Sequence, residues 1–312
     1  MILAVTLNTA VDHLVHVNGL QLHDVNRVQR TEIDAGGKGV NVARVVAALG
    51  GEVCATGYVG GSAGQLVRSV LDLNKVAHDF VTTAGETRTN YQVEDGQGPP
   101  TQFNPLGPTI NDLEWQALQA KLLHLAQGAN WVAFGGSLPP GVPPDAYRVL
   151  AAIAQEAGAR VLIDADGEAM RQALPVRPDF VKPNAQEAAR LLGHPVAGVP
   201  DAVRAAVELR TRLAPGGTAV ISLGKDGAVL ACDAGTFRGI SPEVEVRSTV
   251  GAGDSMLGAM LAQVQRGKDW PSALRWGLAA GAATATTDGT KIATGDLVAA
   301  LWHEARVEAI SA

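Results

Sequence analysis

Short unbroken apolar runs recur along the chain at Ile2–Leu7, Val53–Tyr58, Trp131–Phe134, Val161–Ile163, Phe180–Val181 and Ala219–Leu223. Runs this short read as strands buried on both faces. Between them, apolar residues fall three and four apart over 38–49, 62–73, 112–126, 144–157, 185–192 and 201–213, the spacing of helices with one inward face. The alternation predicts an α/β fold, a doubly wound and mainly parallel sheet with helices on both sides. After Leu223 the order changes, to short strands at Gly227–Ala231 and Val244–Val246 and then several helices.

Four stretches alternate with period two instead: Asp12–Val17, Arg27–Ile33, Thr89–Glu94 and Pro100–Phe103. Strands with one polar face predict a small half-exposed sheet standing off the main one. Its strands come from two insertions, at 12–34 and 88–104, within a single domain spanning 1–312. The expected role is a lid or a platform for a homodimer, because exposed sheet faces and edges invite pairing.

Composition narrows the function. A chain of 312 residues, 46% hydrophobic and 18% charged, forms a sizeable core and is neither disordered nor a coiled coil. A net charge of -6 without basic runs argues against a nucleic-acid partner. No apolar run approaches membrane-spanning length and the N-terminus lacks a signal-peptide flank, so a cytoplasmic protein with no membrane partner is expected. Cys54 and Cys232 both sit in strand-like segments, which points away from a disulfide framework. The seven histidines show no metal-ligand spacing.

Both common nucleotide fingerprints are absent, the P-loop and the G-x-G-x-x-G turn after the first strand. Another device stands at Ser248–Met256, "STVGAGDSM", where glycines open a helix with an apolar stripe of Met256, Leu257, Met260, Leu261 and Val264 that stops at Gly267. Unpaired N–H groups at a helix start attract anions, and a carboxylate beside them, Asp254, could take a proton from a hydroxyl. The plainer reading is an acidic residue complementing the helix dipole.

A second cluster, Gly36-Gly37-Lys38-Gly39-Val40-Asn41, leads into a helix with Lys38 and Asn41 on one face; it could grip a phosphorylated or polyhydroxy ligand, or be an ordinary solvated loop. Lys182-Pro183-Asn184-Ala185-Gln186-Glu187 has the form of a capping box, and equally places Glu187 at the carboxyl end of the sheet, where open α/β folds bind ligands. Weaker signals are the turn Gly135–Gly141 with Ser137, the hairpin-like Ser222–Gly227, and Arg88 and Asn90 at the root of the lid.

In this order the segments resemble the PfkB (ribokinase-like) family of carbohydrate kinases. The resemblance runs from "TLNTAVD" (Thr6–Asp12) past "STVGAGDSM" and rests on two signatures, the latter and "AGGKGVNVAR" (Ala35–Arg44). "DVNRV", "TRTN", "TQFN", "GSLPPG" and "KPNAQE" are similar to the branch acting on ketohexose monophosphates.

The resemblance implies a ribokinase-like fold with a β lid and ATP-dependent phosphorylation of fructose 1-phosphate at O6. The alternatives are tagatose 6-phosphate at O1, fructose 6-phosphate, or a non-catalytic sugar-phosphate sensor. It implies Asp254 as general base, with Gly251, Ala252 and Gly253 as the anion hole. Asp12, Gly36, Gly37 and Asn41 would hold sugar hydroxyls. Lys38, Arg88, Asn90, Ser137 and, from the lid, Arg27 would surround the sugar and its phosphate. Lys182, Asn184, Ser222, Gly224 and Gly227 would line the ATP side, with Glu187 toward Mg2+. Three departures are Thr9 for the usual proline, Phe134-Gly135 before "GSLPPG", and "GTKIAT" (Gly289–Thr294).

Overall fold

The computed structural model describes residues 1–98 and 100–310. Residue 99, inside the second expected insertion, and residues 311 and 312, inside the expected domain, lie outside that description.

The chain opens with strands β1 (Ile2–Thr6), β2 (Ala10–Val17) and β3 (Val28–Gly36), helix α1 (Lys38–Ala48), β4 (Val53–Val59) and α2 (Gly61–Leu73). Two-residue strands β5 (Ala77–His78) and β6 (Val81–Thr82) precede β7 (Arg88–Glu94) and β8 (Thr101–Phe103). The alternating part follows: α3 (Asp112–Ala126), β9 (Trp131–Gly135), α4 (Ala146–Glu156), β10 (Arg160–Asp164), α5 (Gly167–Ala173), β11 (Phe180–Val181), α6 (Ala185–Leu192), α7 (Gly198–Arg210) and β12 (Thr218–Ser222). The chain continues with β13 (Ala228–Cys232), β14 (Gly235–Ile240), α8 (Ala252–Gln265), α9 (Trp270–Ala285), α10 (Gly295–Trp302) and β15 (Arg306–Ile310).

The main sheet runs β15-β14-β13-β12-β11-β10-β9-β1-β4-β5, with β6 also paired to β4. Every pairing from β5 to β12 is parallel, and β12 to β15 are antiparallel. Strand β1 shows why unbroken apolar runs were needed. Ile2 and Ala4 enter the core under α1, α2, α8 and α9, whereas Leu3 and Val5 enter the core under α3, α4 and α7. Helices thus cover both faces, the doubly wound arrangement the alternation predicts. Each core excludes water from whole strands and from the helix surfaces packed on them, the main favourable term in folding.

The four period-two segments form the second sheet, in order β3-β2-β7-β8. Asp12 pairs with Asp34 on one side and Asn90 on the other. One residue further along, His13 pairs with Ile33 and Tyr91, and Tyr91 with Phe103. Successive residues face opposite sides. One face therefore carries Asp34, Asp12 and Asn90, and the other the half-buried His13 among the exposed Ile33, Tyr91 and Phe103. Arg44 of α1 bonds Asp34, so the acidic face is the one turned toward the main body.

Two expectations need correction. Val244–Val246 is irregular, and the strand lies earlier, at Gly235–Ile240. Residues 241–244 and Val246 line a cavity instead of a sheet, and the apolar ones serve that wall. Helix α8 is not amphipathic: Ser255 through Gln263 are all buried, because the alanines and glycines between the large residues are packed too. Gly258 lies close against Val42 and Val45 of α1, and Gly277 of α9 against Met256 and Met260. Helix α5 and strand β15 had no period long enough to announce them.

Candidate active site

The parallel strands end side by side, with Thr6 opposite Gly135 and Gly135 opposite Asp164. Just past these ends lie Asn8, Ser137, Lys182 and Asn184, and Ser222 ends β12 beside them, the carboxyl edge where open α/β sheets bind ligands. The motifs scattered through the sequence meet here because their strands are neighbours.

Helix α8 begins at this edge. Gly251 caps it at φ +75°, a left-handed conformation in which glycine carries no Cβ penalty, and no side chain closes the terminus. Its first intrahelical bond is Ser255 N–H to Gly251 C=O at 2.8 Å. The amides of Gly253 and Asp254 precede that bond, among the donors that every helix start leaves without an intrahelical partner. Ala252 and Gly253 form part of the wall of a cavity of about 770 Å³. Asn184, Ser222, Gly224 and Gly227 line it too, with an apolar side made by Val244, Val246, Met256 and Leu278.

Asp254 stands on the first turn of α8. Asn41 of α1 donates from Nδ2 to Asp254 Oδ2 at 2.8 Å. Burial pushes the Asp254 carboxyl up to about 6, against the opposing pull of Lys38, the Asn41 hydrogen bond and Lys182. Asp254 as a whole is nevertheless only half-buried. An acid with this affinity is ionised at neutral pH and close enough to the working range to accept a proton.

Asp164, the last residue of β10, sits wholly buried between Lys38 Nζ at 3.3 Å and Lys182 Nζ at 3.7 Å. Burial would raise its carboxyl, but Lys182 and Lys38 outweigh that and hold it below the usual range. Burial likewise opposes the charge on Lys38, and Asp164, Asp254 and Glu187 outweigh it and hold the ammonium more basic than usual. Gly135 leaves room for the Lys38 stem, whose Cβ lies 3.1 Å from where a Cβ at 135 would be. Lys38, Ser137 and Glu187 then share a second cavity of about 350 Å³.

Glu187 and Asn184 close a capping box at α6, Glu187 Oε2 accepting from Asn184 N–H at 2.8 Å. The bond occupies one carboxylate oxygen and leaves Oε1 for another partner. On the sugar side, Gly37 adopts φ +111° at the start of α1, placing the first turn beside Thr6. Asn90 donates to Asp12 Oδ1 at 2.7 Å, and a Cβ at Gly36 would run into the Asp12 carboxylate. Asn8 donates to Ser137 Oγ at 3.0 Å and to Leu106 C=O at 2.9 Å. Arg88 spends its terminal nitrogens on the carbonyls of Pro105 and Asn8, at 2.9 and 3.2 Å.

The structure brings together all the residues singled out in the sequence except Arg27, which is exposed on the loop before β3 and lines a separate hollow with Val17, Gly19 and Val28. Three residues of the site escaped the sequence reading. Asp164 ends an ordinary apolar strand, and only the rule about carboxyl ends could have found it. Asn8 and Arg44 lay inside quoted motifs without a role. Replacing Asp164 with Asn should destabilise the fold by roughly 3–5 kcal/mol, since it strands two lysines in a buried site. Denaturant unfolding checks this; unchanged stability would contradict the pairing.

Residues 5–295 match the model of the pfkB family carbohydrate kinases. The 1-phosphofructokinase of Rhodobacter capsulatus is 39% identical over 86% of this chain and 85% of that protein. The 1-phosphofructokinase of Bacillus subtilis is 31% identical over 98% and 99%. Among solved structures, phosphofructokinase-2 from Escherichia coli in complex with substrates and products superposes with a TM-score of 0.91 at 30% identity, covering 97% of this chain and 98% of that one. Fold, site and similarity agree: the chain belongs to the pfkB family of carbohydrate kinases.

Proposed function

We propose that this phosphotransferase moves the γ-phosphoryl group of ATP to O6 of fructose 1-phosphate, forming fructose 1,6-bisphosphate. Membership of a carbohydrate kinase family makes ATP the donor. The observation that carries the finer reading is Asp254 on the first turn of the uncapped α8, next to Ala252 and Gly253 of the large cavity wall and bonded to Asn41 of the glycine-rich helix start. The relatives named 1-phosphofructokinase direct the choice of sugar.

In this reading Asp254 accepts the O6 proton as that oxygen bonds to phosphorus. The amides from Gly251 to Gly253 receive the charge that develops on the transferred group. Asp12, Gly36, Gly37 and Asn41 hold sugar hydroxyls, and Lys38, Arg88, Asn90 and Ser137 surround the sugar and its phosphate, with Arg27 approaching from the lid. Lys182, Asn184, Ser222, Gly224 and Gly227 serve ATP. Magnesium, when bound with ATP, supplies neutralisation of phosphate charge. The free oxygen of Glu187 fits such an ion. Among the described residues no three His, Cys, Asp or Glu side chains gather into a cage. That suits an ion carried mostly by phosphates and water.

Similarity to phosphofructokinase-2 in complex with fructose-6-phosphate favours a second reading, in which the sugar lies reversed and O1 meets Asp254. Release of ADP with fructose 1-phosphate, fructose 6-phosphate and tagatose 6-phosphate separates the two. The highest kcat/KM is expected for the first, and preference for either 6-phosphate would reverse the sugar. Asp254→Asn should lower kcat by about 10²–10⁴-fold with KM retained; near-normal turnover would remove Asp254 from the chemistry.

The exposed row of Ile33, Tyr91 and Phe103, at 53%, 44% and 56% exposure, supports a homodimer formed through the second sheet. A dimeric mass at micromolar concentration is expected, converted to monomer by Tyr91→Lys with Phe103→Glu. A monomeric mass for the unaltered chain would contradict this.

A further inference from the structure

Asp12 and Asp34 are direct partners across β2 and β3, so their carboxylates stand on one face of the second sheet. Like charges directly opposite destabilise a strand pair. The chain places a cation behind them. Arg44 is buried, with 8% exposure, and donates from Nη2 to Asp34 Oδ2 at 2.9 Å and from Nη1 to Ala35 C=O at 3.2 Å. Asp34 Oδ1 accepts the N–H of Ala35 at 2.8 Å. Asp34 is thereby fully engaged, and Asp12 keeps Oδ2 for a ligand, its Oδ1 being held by Asn90. Neither Arg44 nor Asp34 lines the two cavities beside Asp254.

We propose that Arg44 is a positioning residue for sugar binding: by neutralising Asp34 it keeps the facing Asp12 an ionised acceptor for a sugar hydroxyl. The proposal rests on the reading of Asp12 as a sugar ligand. The groups acting on Asp12 come from three elements: Asp34 on β3, Arg88 and Asn90 on β7, and Arg44 on α1. Burial and Asp34 push its carboxyl up, while the Asn90 hydrogen bond, Arg88 and Arg44 hold it down, and the net direction is upward. Helix α2 also packs on β2, but its charged residues Arg68 and Asp72 bond Thr82 and His78. The Asp12 carboxyl therefore stands above its ordinary range, with Asp34 adding to that displacement and Arg44 opposing it.

The signs follow directly. A protonated Asp12 accepts no hydroxyl hydrogen bond through that oxygen, so KM for the sugar phosphate rises as pH falls through the Asp12 titration. Removing the Arg44 cation moves that rise to higher pH, and removing the Asp34 anion moves it to lower pH.

The test is KM for fructose 1-phosphate against pH in the unaltered enzyme, Arg44→Met, Asp34→Asn, the double variant and Asp12→Asn. Expected are an acid-side rise displaced upward in Arg44→Met and downward in Asp34→Asn, with the double variant near the unaltered enzyme and kcat little changed. An equal increase at every pH in Arg44→Met, or an upward or absent displacement in Asp34→Asn, would overturn the proposal. The milder Asp34→Asn carries the test alone if Arg44→Met does not fold. An Asp12→Asn enzyme with unaltered KM at all pH would instead overturn the reading of Asp12 itself.

Discussion

Helix α8 is buried on every side, yet its N-terminus has no side-chain cap. A helix end inside a protein needs partners for its amides, and here they face a cavity. The neighbouring elements keep that end open and anchored. Gly258 brings α1 against α8, Gly277 brings α9 against it, and Asn41 ties the first turn through Asp254. A side-chain cap would stabilise the helix by about 1 kcal/mol but occupy the donors that a phosphoryl group requires. Leaving the end uncapped reserves an oriented dipole for a charge that arrives with the substrate.

The charges around that end balance one another. Asp164 and Asp254 stand among Lys38 and Lys182, with Asp164 fully enclosed and Asp254 at the edge. The enclosed acid is held ionised by two ammonium groups and keeps both from swinging away. The acid at the edge feels the same two lysines more weakly, and burial pushes it up instead. Two carboxylates of the same chemical type are thereby separated into a structural anion and a group able to exchange a proton, by environment alone.

Much of this was legible in the chain. Strands such as Val161–Ile163 and helices such as 185–192 followed from period and length, and the second sheet from alternation at Asp12–Val17 and Thr89–Glu94. The glycines of 251–253 marked a helix start with open amides. What stayed hidden depends on neighbours in space. Asp164 is one acid after an apolar strand, and only the adjacency of β9, β10 and β11 brings Lys38 and Lys182 to it. Asn8 acquires its role from the 105–108 segment folding back over it. Val244–Val246 misled because apolar residues facing a cavity have the same composition as a strand.

The central claim is that Asp254, in its ionised form, receives the proton of the attacking hydroxyl. The most direct measurement is the rate of phosphoryl transfer in a single turnover, with ATP and fructose 1-phosphate saturating, as pH is lowered from 8 to 5. The carboxyl of Asp254 stands at about 6, so the rate should fall to half near that pH and decline about tenfold per unit below it. A rate that stays level down to pH 5 would show that no group of this affinity must be ionised for transfer, and would contradict the assignment of the base.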